Sequence, residues 1–326
     1  MSEALDLQLL HALHVDGRAP FSLIADVLGV SDQTVARRYS RLYETGMLRV
    51  RGLTDPAMLE ETRWIVRVQC TPSAAAATAA ALARREDTSW ISLTSGGTEI
   101  VCAVRSGHDD NRLLLDTLPR SRQVVAMSAH CVLHEFFGDH LALVGKVGPL
   151  SDAQVRRLLP TPDPDPAPAP AEPTRRAVSL RASDRRMLEL LQHDGRATVA
   201  ELAASSGASQ STVRRRMAEL RSAGVLYFDV DFQQSLLDLH VRAMLWLSVA
   251  PDRLEQTGEA LAAHRETGFV AAMTGSASLC MSALCRDTPA LYRYLTTSIA
   301  ALPAIEHVEV VPVLRTVKRT GVLERP

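Results

Sequence analysis

At 326 residues the chain exceeds one ordinary domain and is long enough to bury several cores. With 46% hydrophobic and 22% charged residues it reads as globular, and a net charge of −1 denies it the bulk basic balance of many nucleic-acid binders. The five cysteines are scattered with no Cys-x-x-Cys pair, so neither a disulfide framework nor a zinc knuckle is expected. No apolar run of about 18 residues is present, and the acidic start does not read as a signal peptide, so a cytoplasmic protein without membrane contact is expected.

The most informative feature is an internal repeat. Residues 6–48 align with 184–226 at a constant offset of 178 without a gap, with 17 of 43 positions identical. Shared positions include Asp6/Asp184, the Asp-Gly-Arg-Ala of 16–19 and 194–197, Ser31/Ser209, Thr34-Val35/Thr212-Val213, Arg37-Arg38/Arg215-Arg216 and Gly46/Gly224. Asp6 and Asp184 precede apolar stripes and read as N-caps of a first helix that stops at Gly17 and Gly195. A second helix covers Ser22 to Leu28 and Val199 to Ser206. After a connection of about three residues, Ser31 and Ser209 cap a third helix running to Thr45 and Ala223, which makes a helix-turn-helix in each copy.

Helical angles divide the third helix. Val35, Tyr39 and Leu42, and Val213, Met217 and Leu220, form the core stripe, with Gln33 and Arg37 opposite it and Thr34, Ser40 and Arg41 alongside. The corresponding outer face of copy two carries Ser211, Thr212, Arg215, Ala218 and Glu219, and Arg214 stands where copy one has Ala36. These are residue types that read base edges and hold phosphates, although a solvated charged face has the same composition. The DNA-contacting set is therefore Gln33, Thr34, Arg37, Arg38 and Arg41 with Ser211, Thr212, Arg214, Arg215 and Arg216. Arg38 and Arg216 lie nearer the core stripe and suit a bond to a carboxylate such as Asp16 or Asp194, or to a phosphate. Residues 180–230 carry eight Lys/Arg against six Asp/Glu, and residues 1–50 five against six, so copy two is expected to supply more phosphate affinity.

Hinges are expected near Asp55-Pro56 and Asp229–Asp231. Each is followed by alternating apolar runs and an alanine-rich helix. Arg63–Cys70, Ser73–Arg85, Ser89–Leu93, Glu99–Arg105, Asp110–Leu118 and Val124–His134 give the order βαββαβ. Val241–Val249, Asp252–His264, Phe269–Met273, Ser278–Cys285, Pro289–Ala301 and His307–Thr316 repeat it, so each copy ends in a ferredoxin-like α+β sandwich. The fold class is thus α+β, with winged-helix-like helix-turn-helix domains at 1–52 and 178–230 and sandwiches at 60–136 and 238–320. A proline-rich linker, 160–177, joins the two halves.

The Asp-Gly-Arg-Ala element, the Ser-x-x-Thr-Val-x-Arg-Arg start of the third helix, the terminal Gly46 or Gly224 and the glycine-bearing hairpin of the sandwich resemble the Lrp/AsnC family of transcriptional regulators. That resemblance implies a double-stranded DNA partner and a small amino-acid-like effector. It also implies effector contacts at Gly96, Gly97 and Glu99 in copy one and at Gly275 and Ser276 in copy two. The two sandwiches are expected to pair within the chain as a pseudo-dimer, with further homo-oligomerisation.

His130 and His134 lie on a strand, about 13 Å apart along the chain, and cannot share a metal. Cys280 and Cys285, five apart, point to opposite faces. No catalytic residue, metal or cofactor is assigned. A sirohaem decarboxylase of the same architecture is the alternative enzyme reading, although the sandwiches show no His-Asn-Tyr cluster; an effector-sensing interaction protein without DNA binding is the third.

Overall fold

The computed structural model describes residues 2–59, 61–107, 112–138, 143–159 and 179–319. The proline-rich linker expected at 160–177 lies outside the described residues. Copy one runs α1 (Ser2–Val15), α2 (Phe21–Leu28), α3 (Asp32–Glu44), β1 (Leu48–Thr54), β2 (Thr62–Cys70), α4 (Ala75–Ala83), β3 (Thr88–Thr94), β4 (Glu99–Ser106) and β5 (Val124–Phe137). Two short helices follow, α5 (Leu143–Val147) and α6 (Asp152–Leu158). Copy two runs α7 (Ala182–His193), α8 (Val199–Ser206), α9 (Gln210–Ser222), β6 (Leu226–Phe232), β7 (Val241–Val249), α10 (Leu254–Ala263), β8 (Thr267–Met273), β9 (Leu279–Cys285), α11 (Thr288–Tyr294) and β10 (Ile305–Lys318).

These elements condense into two compact units, each drawing on both copies. The first holds both helix-turn-helix segments. The expected hinge at Asp229–Asp231 is instead the middle of β6, which pairs antiparallel with β1 from Leu48↔Phe232 to Thr54↔Leu226. Arg51 faces Asp229, its own counterpart at offset 178, so the local pseudo-two-fold axis passes through that pair. The ribbon fills one side of each helical core: Leu48, Val50 and Val230 join α1–α3, while Leu226 joins α7–α9.

The repeated Asp-Gly-Arg-Ala element has a physical reason in this ribbon. Arg18 donates to the carbonyls of Gly195 and Ala197 at 2.6 and 3.1 Å, and Arg196 donates to those of Gly17 and Ala19 at 2.7 and 3.0 Å. The clasp is reciprocal. Its glycines cannot be replaced, because a Cβ on Gly17 would lie 2.8 Å from Val50 and one on Gly195 2.8 Å from the Arg51 backbone. Neither expected N-cap is at a helix start. Asp6 lies inside α1 and Asp184 is the third residue of α7, and both are buried where they receive arginines from the third helices.

A structure not anticipated from the sequence closes over α1 and α2. Gln154 of α6 donates to the Val27 carbonyl at 3.2 Å, and the Leu150 amide donates to Nδ1 of buried His11 at 3.1 Å. The capping box between Ser151 and Gln154 starts α6, and that pattern was available in the sequence.

The second unit is the pair of sandwiches. Each contributes a four-stranded sheet, β3-β4-β2-β5 and β8-β9-β7-β10, and the edges join across copies to close an eight-stranded barrel. The joints are equivalent: β5 pairs with β8 through Val132↔Met273, and β10 pairs with β3 through Val313↔Thr94. Closure leaves no free edge on these sheets. One face of each sheet packs on its own helices, and the other meets the opposite sheet around Ile65, Val101, Met244, Trp246, Met273 and Cys280. Cys280 and Cys285 fall in different cores, on opposite faces of β9 as the alternation requires. The helix expected from Asp110 begins outside the described residues, which resume with a wide turn over Leu113–Thr117. The helix expected over Pro289–Ala301 runs as α11 and then a wide π-type turn, Leu295–Ile299.

The cross-copy ladders predict that a protease site placed between Leu159 and Ser179, once cut, leaves the two halves co-migrating in native gel filtration. Separation into half-size species would show that the ladders do not hold the copies together.

Candidate nucleic-acid interface and sensor hairpins

The third helices are built alike at their starts. Ser31 and Ser209 accept from the amides of Thr34 and Thr212 at 3.2 Å each, and each serine hydroxyl also bonds the same threonine's hydroxyl at 2.8 Å. Val35 and Leu42, and Val213 and Leu220, are buried, which turns the opposite face of each helix outward. Gln33, Arg37 and Arg41 are exposed on α3, and Ser211, Arg214 and Arg215 on α9; Thr34, Thr212, Arg38 and Arg216 are half-buried.

Arg38 and Arg216 do bind carboxylates, but not the expected Asp16 and Asp194. Arg38 reaches Asp6 at 2.9 Å and Arg216 reaches Asp184 at 3.0 Å, because α1 and α7 cross directly behind the third helices while Asp16 and Asp194 hold the amides of Arg18 and Arg196. In copy one Arg41 joins the same Asp6 at 2.5 Å. In copy two Glu219 replaces Arg41 and binds both Arg215 and Arg216. Arg37, by contrast, has no hydrogen-bond or ion-pair partner among the described residues. The fixed pairs orient the helices, and Arg37 is left to meet something else.

Burial alone would raise the Asp184 pKa. The Arg216 hydrogen bond, the Arg181 amide at 2.9 Å and both arginine charges outweigh it, so the carboxyl sits below its ordinary range.

In the second unit the hairpins singled out as candidate effector contacts differ between copies. Gly96 and Gly97 have left-handed φ of 72° and 86° with open space where a Cβ would be. Glu99 is 2% exposed and is already held by three donors: it accepts from Arg67 at 2.7 Å and from the Thr94 and Ser95 hydroxyls at 2.9 Å each. Arg67 also forks onto Glu309 at 2.7 and 2.8 Å, and its guanidinium lies 4.7 Å from the Trp246 ring centre. The Glu309 hydrogen bond is the main reason the Arg67 pKa is raised, against its burial, with Glu99 adding to it. A ligand ammonium aimed at Glu99 would have to displace Arg67.

Hairpin two sits against β5 instead. Gly275 has φ 113°, and a Cβ there would lie 2.3 Å from the His130 ring. His130 Nδ1 donates to the Thr274 carbonyl at 2.8 Å, and its ring lies 5.8 Å from that of Trp246. Ser276 is exposed, and its carbonyl accepts from Ser248 at 3.3 Å. The structure thus brings Gly96, Gly97 and Glu99 together in one hairpin and Gly275 with Ser276 in another, on different joints of the barrel.

The family model for the AsnC-type helix-turn-helix domain matches residues 4–43, a winged helix-turn-helix DNA-binding model matches 180–227, and the Lrp/AsnC ligand binding domain matches 242–323. The matched domains are those of the Lrp/AsnC transcriptional regulators. Among its relatives, an uncharacterized HTH-type transcriptional regulator of Pyrococcus horikoshii is 29% identical over 46% of this chain and 94% of its own length. The regulatory protein AsnC of Escherichia coli is 28% identical over 41% of this chain and 93% of its own. Such relatives correspond to one copy of the repeat. A solved structure that spans nearly the whole chain is the siroheme decarboxylase NirDL, at 12% identity, with a TM-score of 0.65 over 98% of this chain and 94% of that one. At that identity the likeness is one of fold. No helix among the described residues is long and apolar enough to cross a membrane.

The Asp184 ion pair gives a pH prediction. Its folded pKa is depressed, so the stability it contributes is full above the ordinary carboxylate value of about 4 and is lost as pH falls through the folded pKa. Asp184→Asn should cost roughly 1–3 kcal/mol at pH 7 and flatten the acid limb of a denaturation series below about pH 4. An unchanged acid limb would remove Asp184 as a source of that dependence.

Proposed function

We propose that the chain is a sequence-specific transcriptional regulator acting as a self-contained asymmetric pair of DNA readers, with the sandwich barrel as its small-molecule sensor. The observation that carries this reading is the ribbon. It places two helix-turn-helix segments with outward-facing arginines in one compact unit, where a relative of about half the length aligns over less than half of this chain. The DNA-contacting set is Gln33, Thr34, Arg37, Arg38 and Arg41 with Ser211, Thr212, Arg214, Arg215 and Arg216. Arg37 and Arg215 are the guanine readers, and the paired Arg38, Arg41 and Arg216 serve phosphates. The effector, an amino acid or related metabolite, is taken at Gly96, Gly97 and Glu99 or at Gly275 and Ser276. In copy one the effector would have to compete with Arg67 for Glu99, and in copy two with the His130 ring packed against Gly275.

This reading has the chain regulate rather than catalyse, act in the cytoplasm, and form larger assemblies from the pseudo-dimer. The likeness in fold to a siroheme decarboxylase makes tetrapyrrole titration the matching control, with no change in the absorption spectrum expected.

Selection of genomic fragments by the purified protein tests the function. The expected product is two related but unequal half-sites at one fixed spacing of about 10 base pairs or a multiple. Inserting five base pairs between them should abolish tight binding, since the ribbon fixes the readers. Arg37→Ala should lose about 1–3 kcal/mol at one half-site only. Retention of no motif by folded protein, or tolerance of any spacing, would refute the reading.

A further inference from the structure

The two recognition helices differ most at one position of their outer face, where α3 carries Arg41 and α9 carries Glu219. In α3 the neutralising charge comes from behind: Asp6 is buried and draws both Arg38 and Arg41 toward the core. In α9 Asp184 holds Arg216 alone of the helix's arginines, at 3.0 Å, and the second carboxylate stands on the outer face itself. Glu219 is 41% exposed, pairs with Arg215 one turn earlier, and touches Arg216 at 3.1 Å. Its pKa is lowered by the Arg216 hydrogen bond first and by Arg215 as well, so it is charged at neutral pH.

A carboxylate on a groove-facing surface is an unusual choice, because phosphates repel it and most base edges offer it acceptors. Its favourable partner is the cytosine N4 amino group, and the matching partner of an arginine fork is the O6/N7 edge of guanine. Arg215 and Glu219, already paired, therefore present a donor fork and an acceptor side by side. On DNA lacking the matching bases the pair loses twice: Arg215 remains drawn to Glu219 instead of a phosphate, and the carboxylate finds no donor.

We propose that Glu219 is the specificity-determining residue of the second reader, selecting a cytosine beside the guanine read by Arg215 and suppressing attachment to unrelated sequence. This rests on the reading that α9 enters the major groove. Copy one, with Arg41 there, lacks that filter and has the more permissive half-site.

The test uses the full-length chain in selection from a randomised duplex pool, followed by competition between the selected duplex and a shuffled one, for wild type, Glu219→Gln and Glu219→Arg. Wild type should show the cytosine preference in one half-site only. Glu219→Gln should erase it, leave the other half-site unchanged, and lower the selected-to-shuffled affinity ratio about fivefold or more. Should Glu219→Gln fail to fold, Glu219→Arg, which restores the residue of copy one, should make the two half-sites more alike and raise affinity for the shuffled duplex. A wild-type motif that both substitutions leave intact overturns the proposal alone, including where they lower the melting temperature and so reveal only a helix-stabilising pair. Absence of any wild-type motif overturns the DNA-binding reading and this proposal with it.

Discussion

Strand pairing between the two copies is the constraint on which the rest depends. Neither helix-turn-helix has a sheet of its own: β1 and β6 are single strands that find their ladder partner in each other, and the Val50 carbonyl of β1 also takes the Gly195 amide of the other copy at 2.9 Å. In the second unit the edges of each sandwich are likewise consumed by the other, β5 by β8 and β10 by β3. A half-chain would expose these edges, and an exposed edge recruits whatever strand it meets. Fusion of the copies makes the recruitment intramolecular.

Fusion also frees the pseudo-axis from the rule that identical residues face each other. Where two identical ribbons would set arginine against arginine at position 51, this chain sets Arg51 against Asp229. Arg51 is 3% exposed and donates to the carbonyls of Gln192 and His193 at 3.0 Å and to Asp231 at 3.3 Å. Burial lowers its pKa, and Asp231 works in the other direction. The same freedom operates inside the barrel. The charged cluster of Arg67, Glu99 and Glu309 lies on one side, and at equivalent positions Trp246, Ser278 and Ser128 lie on the other. Two copies that began alike have been divided into unequal partners, and the recognition helices follow the same course at Arg41 and Glu219.

Much of this was legible in the chain. The repeat, the helix-turn-helix, the outward faces of α3 and α9 and the βαββαβ order all follow from local spacing, because helix caps and periodicity act over a few residues. What escaped depends on contacts distant in sequence. Asp229–Asp231 reads as a hinge because acidic residues interrupt the apolar pattern, and only a partner 178 residues away makes it a strand. Asp6 looked like a cap because it precedes a leucine stripe, whereas its function is set by Arg38, 32 residues on. Glu99 reads as an effector contact from its place after the hairpin glycines, whereas Arg67, 32 residues away, is its partner. The helix α6 has its own local signal in the Ser151–Gln154 box but lies outside the repeat.

Residue-resolved hydrogen exchange measures the central claim most directly, because it reports each cross-copy ladder separately. If the copies form one cooperative body within each unit, the amides of β1 and β6 should open only with the helices they support, and those of β5, β8, β3 and β10 only with the barrel as a whole. Exchange of these amides far ahead of the helices and inner strands would contradict the account, since the copies would then be joined by chain connectivity and not by shared sheets.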